Sequence, residues 1–286
     1  MSEYQYYEFV AVDRPLDPGE QAEVRSLSTR AEITATSFTN EYHWGNFRGD
    51  PVRMMEHYYD AHLYLANWGT RRLMLRLPLN LLDLDEVDPY CVGDLVDAWT
   101  TEDHLVLDLS SEDEDGDDIV VDPRGWLAGI IGVRAELATG DLRPLYLAWL
   151  AAYGTWERDE SAFGRDADDD PEPPVPPGLR TLTAPQRALA DFLRLDDDLL
   201  AVAAETSPPL ERSTGDPDRL ATWVTNLPLA EKNRLLLRVV RDQAAGARME
   251  MLARFRAETT TASRTVADLL DGAARRRNDR SSHPAT

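Results

Sequence analysis

Residues 4–12, Tyr4-Gln5-Tyr6-Tyr7-Glu8-Phe9-Val10-Ala11-Val12, followed by Asp17-Pro18-Gly19-Glu20, set the reading of the fold. Aromatic and β-branched side chains crowd the first segment and suit a pleated strand. Asp17 then offers an N-cap, Pro18 a first-turn proline and Glu20 an acid near the helix start, with Val24 and Leu27 as the inward stripe. Ala31 to Phe38, rich in Ile and Thr, reads as the next strand. Asp50-Pro51 repeats the start signal 33 residues after the first, and Val52, Met55 and Tyr59 fall at i, i+3 and i+7 on one face. Leu63 to Trp68, a Gly69-Thr70 turn and Arg71 to Leu77 make a hairpin in which Leu73, Leu75 and Leu77 alternate with Arg72, Met74 and Arg76. Two strand–helix units with a closing hairpin predict an α+β fold, with a ferredoxin-like open sheet carrying helices on one face. A second hairpin, Leu95 to Thr101 and His104 to Leu109, extends the sheet. Gly125 to Ala138 and Leu142 to Tyr153 read as helices, the latter apolar nearly all round and therefore internal.

The organisation follows from composition. The chain has 286 residues, enough for two folded units, and is 43% apolar, enough for a sizeable core. Residues 1–153 are expected to form the α+β domain, 154–182 an acidic, Pro-rich, extended linker, and 183–286 a helical region with a disordered basic tail from about 275. In that helical region Pro185 to Ala204 and Asp216 to Leu227 read as helices. Pro228 then opens the longest helical pattern: from Leu236, apolar or small residues recur at Val240, Ala244, Ala247, Met251, Phe255, Ala262, Val266, Leu269 and Ala273. The run Thr259-Thr260-Thr261 is a place for it to break. A stripe of that length requires a cover, from this chain or from another.

Charge is distributed unevenly. Residues 1–153 hold 29 acids against 11 bases, whereas residues 183–286 hold 15 against 16, within a total of −22. A strongly acidic domain repels phosphate backbones, which argues against nucleic-acid binding there. Arg275, Arg276, Arg277 and Arg280 leave the tail as the one segment able to attract a polyanion. Cys91 is the single cysteine and no signal-type segment opens the sequence, so a reduced, cytoplasmic setting is expected. No apolar run reaches the roughly 20 residues of a membrane span.

Four places are able to carry chemistry, each with a plainer reading beside it. Arg53, Glu56, His57 and Asp60 share a helix face, with His62 just beyond, and a carboxylate beside an imidazole suits general-base or metal chemistry; the plainer reading is a solvated face. The loop Glu41-Tyr42-His43-Trp44-Gly45-Asn46-Phe47-Arg48-Gly49 sets aromatics and a guanidinium beside a helix start, where a small anion could be stacked and paired. Its plainer reading is a wide turn pinned by buried Trp44 and Phe47. The candidate ligand-binding set is therefore His43, Trp44, Phe47, Arg48, His57, Asp60 and His62. Cys91 sits among acids, which disfavour a thiolate, and reads as a small buried hydrophobe. Ser111 to Asp118 has the oxygen density for calcium but not the spacing of a calcium loop. No phosphate loop, zinc-spaced cysteine set or nucleophile elbow is present, so no metal or cofactor is expected.

The stretches Tyr6-Tyr7-Glu8-Phe9-Val10-Ala11-Val12-Asp13-Arg14-Pro15-Leu16 and Tyr58-Tyr59-Asp60-Ala61-His62-Leu63-Tyr64-Leu65-Ala66-Asn67-Trp68-Gly69-Thr70-Arg71-Arg72 resemble an uncharacterised bacterial protein family. The resemblance covers the N-terminal domain and residues 227–270. It implies a bacterial, cytoplasmic origin and no mechanism. Longer members continue as helix beyond the position of Thr286. The function expected from the residues is that of a non-catalytic interaction or adaptor protein, binding another protein or a second copy through Leu236, Val240, Ala247, Met251, Phe255, Val266 and Leu269. The alternatives are ligand binding or catalysis at the His43 to Arg48 loop with the His57 helix, and a nucleic-acid contact through the Arg-rich tail.

Overall fold

The computed structural model describes residues 3–113, 122–154, 170–210, 217–240, 244, 247–248, 250–251, 254–255 and 264–282. The fold is α+β. Seven strands, β1 (Gln5–Val10), β2 (Glu32–Ile33), β3 (Ser37–Tyr42), β4 (Ala61–Ala66), β5 (Arg71–Pro78), β6 (Val96–Thr100) and β7 (His104–Ser111), form an open sheet in the order β2-β3-β1-β4-β5-β7-β6, antiparallel at every pairing.

The start signals act as their chemistry requires. Asp17 caps α1 (Pro18–Leu27) in a reciprocal capping box with Glu20, and Asp50 caps α2 (Pro51–His57) by accepting from the Val52 and Arg53 N–H groups. The Ile/Thr run is not one strand. Thr34 Oγ1 accepts from the N–H groups of Thr36 and Ser37, so the chain turns there and β2 folds back on β3.

Both faces of the sheet are covered, where helices on one face were expected. Because side chains alternate along a strand, Leu73, Leu75 and Leu77 of β5 face one layer with Leu105, Leu107 and Leu109 of β7, while Met74 and Val106 face the other. The second layer is α1 and α2, whose Val24, Met54 and Met55 bury against Phe9 and Phe38. Against the first pack α4 (Trp126–Ile130), α5 (Gly132–Ala138) and α6 (Arg143–Gly154), and behind them α7 (Ala184–Phe192) and α8 (Asp197–Thr206); the short α3 (Leu84–Val87) caps one end. The helix read over Pro185 to Ala204 is broken at Arg194, which adopts φ 57, so that it ends one helix and redirects the next.

The expected division into domain, linker and separate arm does not describe this packing. Residues 155–169 lie outside the described residues, but residues 170–182 are built into the body. Leu179 and Leu182 share the core of Leu73 and Leu145; Tyr90 donates to the Pro174 carbonyl; Glu172 accepts from Tyr146 and from Arg264 at 2.7 Å. The last helix, α11 (Val266–Ser282), packs along α8. A Cβ at Gly272 would sit 2.8 Å from Val202 Cγ1, so only glycine allows this approach. The basic segment from about 275, expected to be disordered, is the end of this helix through Ser282. Arg276 pairs with Glu205, Arg277 with Asp196 and Arg280 with Asp198, so three of the four tail arginines face the chain's own acids. Among the described residues no helix is long and apolar enough to cross a membrane.

Candidate functional site

The residues singled out around α2 do not converge. Asp60 is buried and takes four hydrogen bonds, from the Val12 and Asp13 N–H groups at 2.7 and 2.9 Å and from Nη2 and Nε of Arg76 at 2.8 and 3.1 Å. Burial pushes its carboxyl up, but the Asp13 N–H, the Arg76 guanidinium and the Val12 N–H outweigh that and hold it below the usual range. Arg76 also donates to the Glu56 carbonyl, and Arg134 donates to the Arg76 carbonyl and pairs with Asp13. This network ties α2, β5 and α5 together; it is scaffolding.

His62 points into the same layer from β4. Its ring stacks on Phe9 at 3.9 Å, its Nδ1 lies 2.9 Å from the Glu8 carbonyl, and Nε2 has no partner among the described residues. Complete burial, only partly opposed by the Glu8 carbonyl, pushes the imidazole down to about 3. His62 is therefore a neutral core residue. His57 is exposed at the end of α2. In the loop, Phe47 packs on Tyr7 and Phe38, and the Gln5 amide donates to Gly45 O and Asn46 Oδ1. Trp44, expected as a buried pin, is 77% exposed, and His43 and Arg48 are exposed as well. Of the two aromatics expected to pin the turn, Phe47 does so, together with the Gln5 amide. Cys91 is half-buried, and burial with Asp88 and Asp97 raises its thiol. Of the acidic stretch Ser111 to Asp118, residues 114–118 lie outside the described residues.

The helical stripe read from Leu236 to Ala273 divides among three environments. Val266, Leu269 and Ala273 are buried in the main core. Ala247 and Phe255 are buried, and Met251 half-buried, in a small core of their own with Leu227, Leu235 and Trp223; Phe255 meets the Trp223 ring edge-on at 5.7 Å. Leu236 and Val240 face outward. Ala262 and Thr259 to Thr261 lie outside the described residues.

The small core belongs to α9 (Pro217–Asn226), α10 (Leu229–Val240) and the helical residues Ala247, Met251 and Phe255. This unit is inserted between α8 and α11, which touch one another directly. Arg264, just before α11, donates to the Val202 and Ala203 carbonyls of α8, so the body closes without the insert. The seam between insert and body is polar. Arg238 of α10 crosses it to Asp83 at 3.0 Å and also bonds Glu250 at 2.5 Å, while Arg234–Glu250 and Arg254–Glu231 are ion pairs within the insert beside it.

A cleft of about 240 Å³ runs along this seam, walled by Glu86, Tyr90 and Pro174 of the body and Arg234, Arg238 and Arg254 of the insert. Glu86 Oε1 is buried without a partner among the described residues, and burial followed by the repulsion of Asp83 pushes the carboxyl up to about 7. Nothing in the local sequence marks Glu86 as special, since its desolvation comes from segments distant in the chain.

The geometry of α10 is inverted. Its inward side carries Glu231, Leu235 and Arg238, while Leu229, Leu236, Leu237 and Val240 are 73, 62, 55 and 79% exposed. With Asn233 these fall on one side of the helix at i, i+4, i+7, i+8 and i+11. No family model, curated protein or solved structure matches the chain, so its function is argued from its own residues.

Proposed function

We propose that the protein is a non-catalytic interaction or adaptor protein of the cytoplasm, and that the inserted helical unit recruits a partner through the outer side of α10. One observation carries the reading: α10 turns its ion pairs inward and its leucines outward. A helix held in place only to complete a fold does the reverse, because each large aliphatic side chain taken out of water contributes about 1.5–3 kcal/mol. A contiguous exposed apolar stripe with a polar surround is the usual character of a protein contact surface. The place of the insert fits the role. It has its own core, and its entry and exit lie where α8 and α11 meet, so it can change without disturbing the sheet.

Catalysis finds less support. His57, Asp60 and His62, the residues chemically best suited to it, face different surroundings, two of them as buried scaffolding.

The test is a photo-crosslinking side chain at position 237, with a matched one at exposed Arg30 on the body. A single adduct of defined mass, saturable and formed only from position 237, is expected. It disappears when Leu236→Asn and Val240→Asn are combined. Equal, heterogeneous labelling from both positions, or an adduct indifferent to the two substitutions, refutes the reading. Replacing residues 211–263 by a short Gly/Ser linker is expected to leave a cooperatively folded body that forms no such adduct.

A further inference from the structure

We infer that the occupant of the α10 stripe is an amphipathic helix whose apolar face is flanked by carboxylates, and not a second copy of this chain. The inference rests on the interaction reading above and adds the chemistry of the partner.

Shape comes first. Leu229 to Val240 spans 12 residues, so the stripe is about 16 Å long at 1.5 Å per residue and one helix face wide. A narrow ridge with anchors at i, i+7, i+8 and i+11 matches a single helix laid alongside, with side chains from i, i+3, i+4 and i+7 interleaving. A sheet edge or a flat domain surface would leave the flanks of such a ridge unfilled.

Charge then selects among helices. Residues 217–255 hold seven bases and four acids, while the remainder of the chain holds 23 bases and 48 acids. The insert is thus a locally basic unit on a strongly acidic body. Its acids Glu231 and Glu250 are already engaged by Arg234, Arg238 and Arg254, while Lys232 and Arg234, at i+3 and i+5 from Leu229 on α10 itself, stand at the two edges of the leucine stripe. At physiological ionic strength the screening length is about 8 Å, so a helix lying on α10 responds to these nearby cations more than to the distant acidic sheet. A second copy pairing α10 with α10 would oppose like charge at the ridge and bring together two bodies that are both strongly negative. Carboxylates flanking an apolar face complement the ridge; lysines do not.

The experiment uses the full chain and two synthetic helices of about 20 residues with the same leucine face, one flanked by glutamates and one by lysines. Binding is read by fluorescence anisotropy over roughly 50 to 500 mM salt, and self-association by sedimentation velocity. The expected result is a monomeric protein that binds the glutamate helix at least about tenfold more tightly than the lysine helix, an advantage that shrinks with salt. Binding is lost in the Leu236→Asn/Val240→Asn variant, which retains its circular dichroism spectrum. Lys232→Glu, which leaves the leucines in place, is expected to remove the preference but not all binding.

Failures are distinguishable. Equal or tighter binding of the lysine helix overturns the charge inference while the interaction reading stands. A concentration-dependent dimer abolished by the two asparagines overturns it in favour of a second copy. No helix binding and no dimer overturns both.

Discussion

The most direct check of the core is a pH titration of stability, because His62 must stay neutral to remain where it is. The imidazole lies wholly inside the sheet–helix layer, stacked on Phe9, with an ordinary value of 6.5 lowered to about 3 by burial. The unfolded chain therefore binds a proton below pH 6.5 that the folded chain refuses, so stability is full above that value and declines as pH falls, levelling only below about 3. For one such group the loss on going from pH 7.5 to pH 5 is about 2 kcal/mol. That figure depends on the unfolded value alone as long as the folded value lies below about 4, so the depth of the shift need not be known accurately. The comparison is between the wild-type chain and His62→Phe, which keeps an aromatic ring against Phe9 and removes the titrating group. Losing the bond to the Glu8 carbonyl costs about 1 kcal/mol at every pH and leaves the slope unaffected. Urea unfolding at closely spaced pH values is expected to show the wild type losing about 2 kcal/mol more than the variant over this interval. His104 and the carboxylates titrate in both chains and cancel. Parallel curves, or an imidazole resonance of His62 that titrates near 6.5, would refute the argument.

Further consequences follow from the same packing. Arg76→Met strands the buried Asp60 carboxylate and is expected to cost about 3–5 kcal/mol in denaturant unfolding, with part of the loss recovered when Asp60→Asn is added. Leu269→Ala, in the main core, is expected to destabilise by about 2–5 kcal/mol, whereas Leu236→Ala on the exposed ridge stays within about 0.5 kcal/mol; equal effects would mean the ridge is covered by the chain itself. Because the Glu86 carboxyl is raised from 4.5 to about 7, its contribution is present at acid pH and declines as pH rises through that window. Glu86→Gln is therefore expected to flatten the stability profile between pH 5 and about 8, and a profile unchanged by the substitution would show that the carboxyl is fully solvated.

The elements were largely legible because their causes are local. Asp17-Pro18 and Asp50-Pro51 start helices wherever the chain goes, since an N-cap oxygen needs only the N–H groups two or three residues on. The hairpins at Gly69 and at Glu102-Asp103 are set by turn residues and flanking alternation in the same way. The Thr34 turn was missed because its signal is a hydroxyl competing with strand pairing inside an otherwise strand-like run. The candidate site was read less well. Glu56, His57, Asp60 and His62 are close in sequence, but the helix ends at His57 and β4 begins at Ala61, so the side chains part company at that junction.

Sequence alone determined the fold class, most strand and helix positions, the acidic character of the front half and the existence of a long apolar periodicity near the end. Only the tertiary structure decided what covers each face. Arg72 and Arg76 alternate with leucines as solvent-facing residues would, yet Asp60, 16 residues away, holds Arg76 under the second layer, and Asp108, 36 residues away, pairs Arg72 across to β7. The helical stripe likewise has one period throughout, while its end is buried against α8, its middle lies in the small core with Leu227 and Leu235, and Leu236 and Val240 at its start stay exposed. Periodicity is a property of neighbouring residues; burial depends on partners brought together from far along the chain, and a local pattern holds no record of which of them arrive.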